Sequence, residues 1–136
     1  MDTIHAAAEK ILLADILVVA LGAGFSADSG LPVYKDVATV DAYIDLGLDY
    51  QDLCDPYWVH EDWSLFLGFW GDSFNMYNDA APHEGYEILK QWKERLAVDP
   101  VLQSLVDSKV VTSDPFFVFT SNVDAHCRRE FAPNEL

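Results

Sequence analysis

The stretch Ile16–Gly30, "ILVVALGAGFSADSG", decides the fold, because a continuous apolar run ends in glycines and hydroxyl residues. The run Ile16–Leu21 is typical of a strand buried on both faces of a sheet. Gly22 and Gly24 let the backbone turn tightly and approach a ligand with no Cβ in between. The following "SADSG" predicts the start of a short helix, whose free N–H groups and positive dipole end favour an anion such as pyrophosphate.

A second strand is predicted in "FFVFTSNVD", residues 116–124, which Pro115 introduces. Both apolar runs are of the buried, parallel type, and helical segments separate them. We therefore expect an α/β fold, a Rossmann-like doubly wound parallel sheet that is incomplete within residues 1–136. Ligands of such sheets bind outside the carboxyl ends of the strands, so the two loops that follow the strands are the candidate site.

Helical spacing covers much of the rest of the chain. A capped helix is predicted over residues 3–14, with Asp2 or Thr3 as the cap. Residues 36–100 are predicted to form an acidic, aromatic, helical insertion within the single domain, although 36–60 show no clear division. The aromatic residues of 61–77 are expected in the core, and a helix over 81–96 is expected to turn Ile88, Leu89 and Trp92 inward. "DPVLQSLVDSK" predicts a short helix or a turn.

Charge and cysteine content restrict the partners and the compartment. The net charge is −15, and no Lys or Arg lies between Asp36 and Leu89. This field disfavours nucleic acid and membrane surfaces, and favours either basic ligands or a plain solvated face. The isolated Cys54 and Cys127 indicate reduced thiols and no metal site within the chain. With no signal peptide visible, we expect an intracellular protein, cytoplasmic or nuclear and not secreted.

The glycine loop alone is a weak signal. In a GxGxxG pattern Ala27 would occupy the third glycine position. An ordinary dehydrogenase also needs an acidic residue after a second strand, about 20 residues further on. Asp45 and Asp49 lie at that distance, but no strand is predicted before them. A tight strand-to-helix turn without a ligand is therefore the alternative interpretation of this loop.

The longer pattern is more specific. Residues 22–35, "GAGFSADSGLPVYK", resemble the sirtuin motif GAGxSxxSGIPxFR, and residues 120–124, "TSNVD", resemble the sirtuin motif TQNID. Between them, residues 66–89 look like the aromatic helix and the Pro/His-led helix of the same family, in the expected order. The three blocks cover nearly the whole chain. The sequence therefore resembles the N-terminal part of a sirtuin catalytic domain.

The resemblance implies the NAD-binding part of an NAD-dependent protein-lysine deacylase, which releases nicotinamide and transfers the acyl group to ADP-ribose. Its partner would be an acylated lysine in a protein or peptide. The implied pyrophosphate contacts are Gly22, Ala23, Gly24 and Ser26, and the implied cofactor loop contains Ser29, Gly30 and Pro32. Tyr34 stands where the family has a ribose-shielding Phe, and Lys35 where it has an Arg. Asn122 would contact the nicotinamide ribose and Asp124 the carboxamide, while Ser121 replaces a Gln and Ala125 a Gly.

The general base of the family is a histidine in a His-Gly pair, which the resemblance places beyond Leu136. The family's zinc cysteines would also lie downstream, so zinc is expected only with such a small domain. Four histidines are present in the chain. We expect a surface position for His5, a packing or capping role for His83 and no partner for His60. His126, two residues after Asp124, is the weak candidate for catalysis, and Cys127 is expected to be inert.

Two other functions remain open from the sequence. Sirtuin-like domains also occur as NAD hydrolases, in which water replaces the acyl oxygen, and the effect of an acyl-lysine peptide on NAD cleavage would separate the two. The third interpretation is a nucleotide-binding fragment without catalysis, or an incomplete product without a stable fold. In such a fragment, missing strands would leave an unprotected apolar sheet edge.

Overall fold

The structure is a computed structural model, and it describes residues 2–33, 40–108 and 115–136. The described residues form two strands joined and flanked by helices. In chain order the elements are α1 Thr3–Leu12, β1 Leu17–Leu21, α2 Ala23–Ala27, α3 Asp41–Asp45, α4 Tyr50–Leu53, α5 Trp58–Glu61, α6 Trp63–Asp79, α7 Glu84–Ala97, α8 Pro100–Asp107, β2 Phe116–Thr120 and α9 His126–Glu130, followed by a 3₁₀ turn at Pro133–Glu135.

The two strands pair in parallel, with Leu17 opposite Phe116 and Leu21 opposite Thr120. The hydroxyl of Thr120 donates to the carbonyl oxygen of Leu21 at 3.1 Å, which holds the end of the pair. Parallel neighbours cannot be joined by a hairpin and need a long crossover connection, which the helices between the strands supply. The predicted combination of helices with a parallel sheet is therefore confirmed at this level.

The prediction that the first strand is buried on both faces is wrong. Burial alternates along both strands, and Val18 and Phe119 are 65% and 62% exposed, whereas Phe116 and Val118 are buried. Within the described residues the sheet has two strands and one covered face. A continuous apolar run looks the same in a sequence whether one or both of its faces are covered.

The chain divides into two compact units, which we call the first and the second unit. The first unit comprises the described residues of Met1–Leu21, Glu84–Thr120 and Cys127–Leu136. Its core is aromatic, with the ring of Phe131 at 5.7 Å from that of Phe116 and at 6.3 Å from that of Tyr86. Leu89 of α7 is buried as predicted, but Ile88 is exposed, because Tyr86 and Leu89 define the inward face of the helix.

Two helices of the first unit begin with aspartate caps. The Asp2 carboxylate accepts a hydrogen bond from the backbone N–H of Ile4, which confirms Asp2 as the cap of α1. The Asp99 carboxylate caps α8 in the same way, with Pro100 in the first turn, so the predicted "helix or turn" is a helix. Arg95 donates to the carbonyl oxygen of Leu12 at 2.7 Å, at the C-terminal end of α1.

Ion pairs fix the C-terminal turn to α7. The ammonium of Lys93 pairs with the buried carboxylate of Glu135, and the backbone N–H of Ala132 donates to the same carboxylate at 2.8 Å. Burial acts to raise the pKa of Glu135, but the hydrogen bonds from Lys93 and Ala132 outweigh it, so this pKa lies below its usual value. Glu135 is therefore held in its charged form.

The second unit comprises the described residues of Gly22–His83 and of Ser121–His126. Its core contains Tyr43, Leu53 and Phe69, from α3, α4 and α6. The ring of Phe69 lies at 6.2 Å from that of Tyr43, in an edge-to-face arrangement. From residue 40 onward, the segment that the sequence left undivided thus forms three short helices.

The aromatic helix α6 is only partly in the core. Phe69 is buried, but Trp63, Leu67 and Phe74 are 53%, 49% and 64% exposed, so the prediction of a core stripe is wrong for these three. Large apolar residues occupy several sides of this helix, and only one side packs against the core. None of the helices in the described part of the chain is both long and apolar enough to cross a lipid bilayer.

Candidate functional site

The glycine loop leads into α2 earlier than predicted. The helix begins at Ala23, so "SADSG" closes it and does not open it. Gly22 is the N-cap residue of α2 and has an extended backbone, with φ −119° and ψ −174°, and no side chain caps the helix. Gly30 follows with φ 81°, in the left-handed region where glycine is at ease. The prediction missed the start because no capping side chain marks it.

Hydrogen bonds join the two predicted loops. The hydroxyl of Ser26 donates to the carboxylate of Asp124. The amide nitrogen of Asn122 lies at 2.9 Å from the Ser26 hydroxyl oxygen and at 2.9 Å from the Gly22 carbonyl oxygen, and donates to both. Ser26 and Asp124 are 6% and 4% exposed. Four of the predicted site residues, two from each loop, thus form one polar network inside the second unit, in which Ser26 and Asp124 are buried.

The network fixes which atoms can act on a ligand. The single hydroxyl proton of Ser26 points to Asp124, and both N–H groups of the Asn122 amide are used within the network. An anion would have to compete with Asp124 for the Ser26 proton. The carbonyl oxygen of Asn122 and the carboxylate of Asp124 are acceptors, so these side chains suit a ligand that donates hydrogen bonds.

The backbone after Asp124 is held in a tight turn. The Asp124 carboxylate also accepts from the backbone N–H of His126 at 2.9 Å, which is the geometry of an Asx turn. Between them Ala125 has φ 61°, in the left-handed region that disfavours a residue with a Cβ. Position 125 is where the sirtuin pattern has a glycine, and this backbone conformation provides the physical reason for one.

A pocket of about 120 Å³ lies beside this network. Six of the predicted site residues line it: Ala23, Ser26, Pro32, Ser121, Asn122 and Asp124. The lining residues that were not predicted are Leu31, Val33, Tyr50, Tyr77 and Val123. Pockets for whole drug-sized ligands are larger, roughly 300–1,000 Å³. This pocket therefore has room for one part of a dinucleotide, and the rest would lie outside it.

The other predicted site residues that the structure describes do not line the pocket. Gly22 contributes its carbonyl oxygen to the network. The Ser29 hydroxyl accepts from the backbone N–H of His83 at 3.1 Å, and Gly30 shapes the turn after α2. Gly24 lies within α2. Tyr34 and Lys35 lie outside the described residues.

Neither Gly22 nor Gly24 is explained by packing in the described structure. A Cβ built on either one meets no atom within 4 Å, and neither residue has a positive φ. A glycine inside a helix is destabilising relative to alanine by about 1 kcal/mol. At these two positions the absence of a side chain therefore leaves free space beside the backbone.

Two tyrosines of the pocket were not predicted. Tyr50 comes from α4 and Tyr77 from α6. Burial raises the pKa of Tyr77, the charge of Asp124 adds to the rise, and a hydrogen bond with Ser73 opposes it. Its phenol is neutral at physiological pH. The sequence offers no signal that separates Tyr77 from the core aromatics of its helix, and Tyr50 falls in the segment left undivided.

The candidate base does not reach the pocket. His126 is fully buried, its Nε2 lies 3.4 Å from the carbonyl oxygen of Tyr77, and it does not belong to the residues that line the pocket. The ring of His83 packs edge-on against Phe25, with centroids 4.4 Å apart, which agrees with the predicted packing role. Cys127 is buried, as expected of an inert thiol.

In the residues that the structure describes, no three His, Cys, Asp or Glu side chains come together as a metal site would need.

Comparison with known proteins does not identify the family. The resemblance to sirtuins depends on the three sequence blocks described above, and it stays a prediction. No protein-family model matches the chain, and neither a curated protein nor a solved structure matches it.

Proposed function

We propose that this chain binds NAD and is the cofactor-binding portion of an NAD-dependent protein-lysine deacylase of the sirtuin type. The observation that carries the proposal is the network of Ser26, Asn122 and Asp124 beside one pocket. Ser26 and Asp124 are 98 positions apart in the chain. The two loops that resemble the sirtuin cofactor motifs therefore supply one site.

We also propose the Rossmann-like doubly wound layout for the complete domain. Its support is the parallel pairing of β1 with β2, which are joined by a connection that contains helices. Gly22 and Ser121 follow the last residues of these two strands directly in the chain. In doubly wound sheets, ligand loops follow the strands in this way.

The residues present fit a part of NAD. Gly22 and Gly24 leave space beside the backbone for phosphates, and the pocket has room for a ring. Bound NAD would supply a glycosidic bond whose cleavage leaves positive charge on the ribose. The acceptor atoms of Asn122 and Asp124 would stabilise such charge, and the neutral walls of Tyr50 and Tyr77 would exclude water from it.

Thermal melting of the chain with NAD tests the proposal. A ligand at 100 times its dissociation constant stabilises a protein by about 2.7 kcal/mol, so a clear upward shift is expected. Gly24→Ala should preserve or raise the melting temperature of the free protein and weaken NAD binding by roughly tenfold or more, because its methyl group would occupy the phosphate space.

Gly71→Ala is the matched control, since Gly71 is also a helical glycine of the second unit with no atom within 4 Å of a built Cβ. It should leave NAD binding unchanged. The absence of any NAD-induced shift at millimolar concentration would overturn the proposal, as would equal effects of the two alanine variants on NAD affinity.

A second candidate is nucleotide binding without turnover by this chain alone. Among the residues that the structure describes, the titratable ones that line the pocket are Tyr50, Tyr77 and Asp124, and none of these is a histidine, lysine or cysteine. Incubation with NAD and an acetyl-lysine peptide, followed by assay of released nicotinamide, separates the two candidates. NAD binding without nicotinamide release favours the second; peptide-dependent release excludes it.

A further inference from the structure

One face of α6 presents an apolar stripe to solvent. Trp63, Leu67 and Phe74 are spaced at i, i+4 and i+11, so they lie along the same side of the helix. All three are about half exposed or more. Single exposed apolar residues are ordinary, but several of them along one helix face are typical of a protein-binding surface.

A glycine opens the middle of this stripe. Gly71 lies one turn after Leu67 and one turn before Phe74, and a Cβ built on it meets no atom of the described residues within 4 Å, its own helix backbone aside. Glycine destabilises the middle of a helix relative to alanine, and neither packing nor a positive φ requires it at this position. It leaves a notch where the backbone of another helix can approach closely.

The stripe is partly pre-ordered. The indole of Trp63 stacks on the ring of Phe66, with centroids 5.7 Å apart and an angle of 20° between the planes. A rigid aromatic side chain loses little conformational entropy when a partner covers it. Such residues are the usual anchors of protein interfaces.

Charge defines the chemistry of the partner. The sequence of the second unit contains twelve carboxylates and, among lysines and arginines, only Lys35. Asp62, Asp72 and Asp79, at the N-cap and along α6, are all exposed. A surface of this sign repels nucleic acid and anionic lipid, and it attracts a cationic segment. The partner must therefore combine an apolar face with basic side chains.

We propose that the exposed face of α6, formed by Trp63, Leu67, Gly71 and Phe74, binds an amphipathic, lysine- or arginine-rich helix of a partner protein. The partner's apolar residues would pack along the stripe, and its basic residues would be attracted by the negative charge of the second unit as a whole. This is recognition of a helix through its apolar anchors. The proposal is independent of NAD binding.

A labelled model peptide tests it with the full chain. The probe is an 18-residue peptide of leucine and lysine in a helical amphipathic order, and its fluorescence anisotropy is measured against protein concentration. Two controls are a scrambled peptide of the same composition and a leucine–glutamate peptide in the same order. We expect saturable binding of the first peptide only, with an affinity that falls as salt is added.

Variants locate the surface. Phe74→Ser and Leu67→Ser should each weaken peptide binding by roughly tenfold, the effect of removing an interface anchor. Leu12→Ser, which changes a leucine on α1 of the first unit that is more exposed than Leu67, should leave peptide binding unchanged. Gly71→Gln should raise the melting temperature and weaken peptide binding, a combination that a purely structural role of Gly71 does not produce.

Several results would overturn the proposal. Equal binding of the scrambled peptide would mean that charge alone is recognised, and unchanged binding by Phe74→Ser would move the surface elsewhere. Self-association in sedimentation that Phe74→Ser abolishes would assign the stripe to a second copy of the chain. Binding to neutral vesicles that depends on Phe74, without peptide binding, would assign it to lipid.

Discussion

The two compact units bury different kinds of side chain. The first unit is held by the aromatic contacts of Phe131 with Phe116 and Tyr86, and by the pairing of Lys93 with Glu135. The second unit has a small aromatic core around Phe69, and it also contains the polar network of Ser26, Asn122 and Asp124 beside a pocket, in which Ser26 and Asp124 are buried.

This difference shows where binding chemistry is expected. Burial of a polar group is costly unless hydrogen bonds replace its contacts with water. In the first unit the buried carboxylate of Glu135 is satisfied by Lys93 and Ala132 at the end of the chain, which serves stability. In the second unit the buried polar atoms border open space, so their arrangement is available to a ligand.

The largest effect on stability is expected in the first unit. Phe131→Ala removes a buried ring that contacts two others, and truncations of this kind cost about 3–5 kcal/mol of unfolding free energy. Urea denaturation measures the loss. Phe119→Ala, at an exposed position of β2, is the control and should cost far less. Equal losses in the two variants would mean that the aromatic contacts do not stabilise the unit.

Removal of the hydroxyl from the polar network should have the next largest effect. Ser26→Ala leaves the Asp124 carboxylate and the Asn122 amide each short of a buried partner, at a cost of roughly 1–3 kcal/mol. Ser29→Ala, which removes one acceptor from the backbone N–H of His83, should cost less. A double-mutant cycle of Ser26→Ala with Asn122→Ala should show coupling, and strict additivity would contradict the network.

The ion pair of the first unit predicts a pH dependence. Because the pKa of Glu135 is lowered in the folded state, its stabilisation is present above its ordinary pKa and is lost as the pH falls through the lowered value. Lys93→Met should cost about 1 kcal/mol near pH 7, since Lys93 is about one third exposed, and progressively less in acid. Urea unfolding from pH 7 to pH 3 measures this, and a pH-independent difference would contradict it.

The smallest expected effect is an increase in stability. Ala125→Gly relieves the left-handed backbone after Asp124 and should stabilise the second unit by roughly 0.5–1 kcal/mol. Ala27→Gly, in the last turn of α2, is the matched control and should destabilise by a similar amount. Thermal melting distinguishes the two, and a loss of stability in Ala125→Gly would contradict the assigned turn.

Much of the framework could be predicted from local chemistry. The apolar runs that end at Leu21 and Thr120 identify the two strands, and Asp2 identifies the start of α1. The loops after the two strands were predicted as the candidate site, and the resemblance named Ser26, Asn122 and Asp124 in them; the structure joins these three side chains by hydrogen bonds, and their binding role stays a prediction. These features depend on neighbours in the chain, so a local pattern is sufficient.

What the sequence could not predict depends on distant packing. The exposure of Val18 and Phe74 is decided by which other elements cover a strand or a helix, and an apolar residue carries no mark of that. The pocket walls Tyr50 and Tyr77 come from separate helices whose meeting is a tertiary event. The start of α2 at Ala23 was not predicted, because its N-cap residue, Gly22, has no capping side chain.

The parallel pairing of β1 with β2 also has a consequence for biosynthesis. Thr120 and Leu21 are 99 positions apart, so the first strand leaves the ribosome long before its neighbour exists. Contacts between residues so far apart in the sequence form slowly, whereas the local helices around Phe69 can assemble in the nascent chain. The pocket, which needs Ser121 and Asp124, is therefore expected among the last parts to form, and any ligand that binds it would favour the final step of folding.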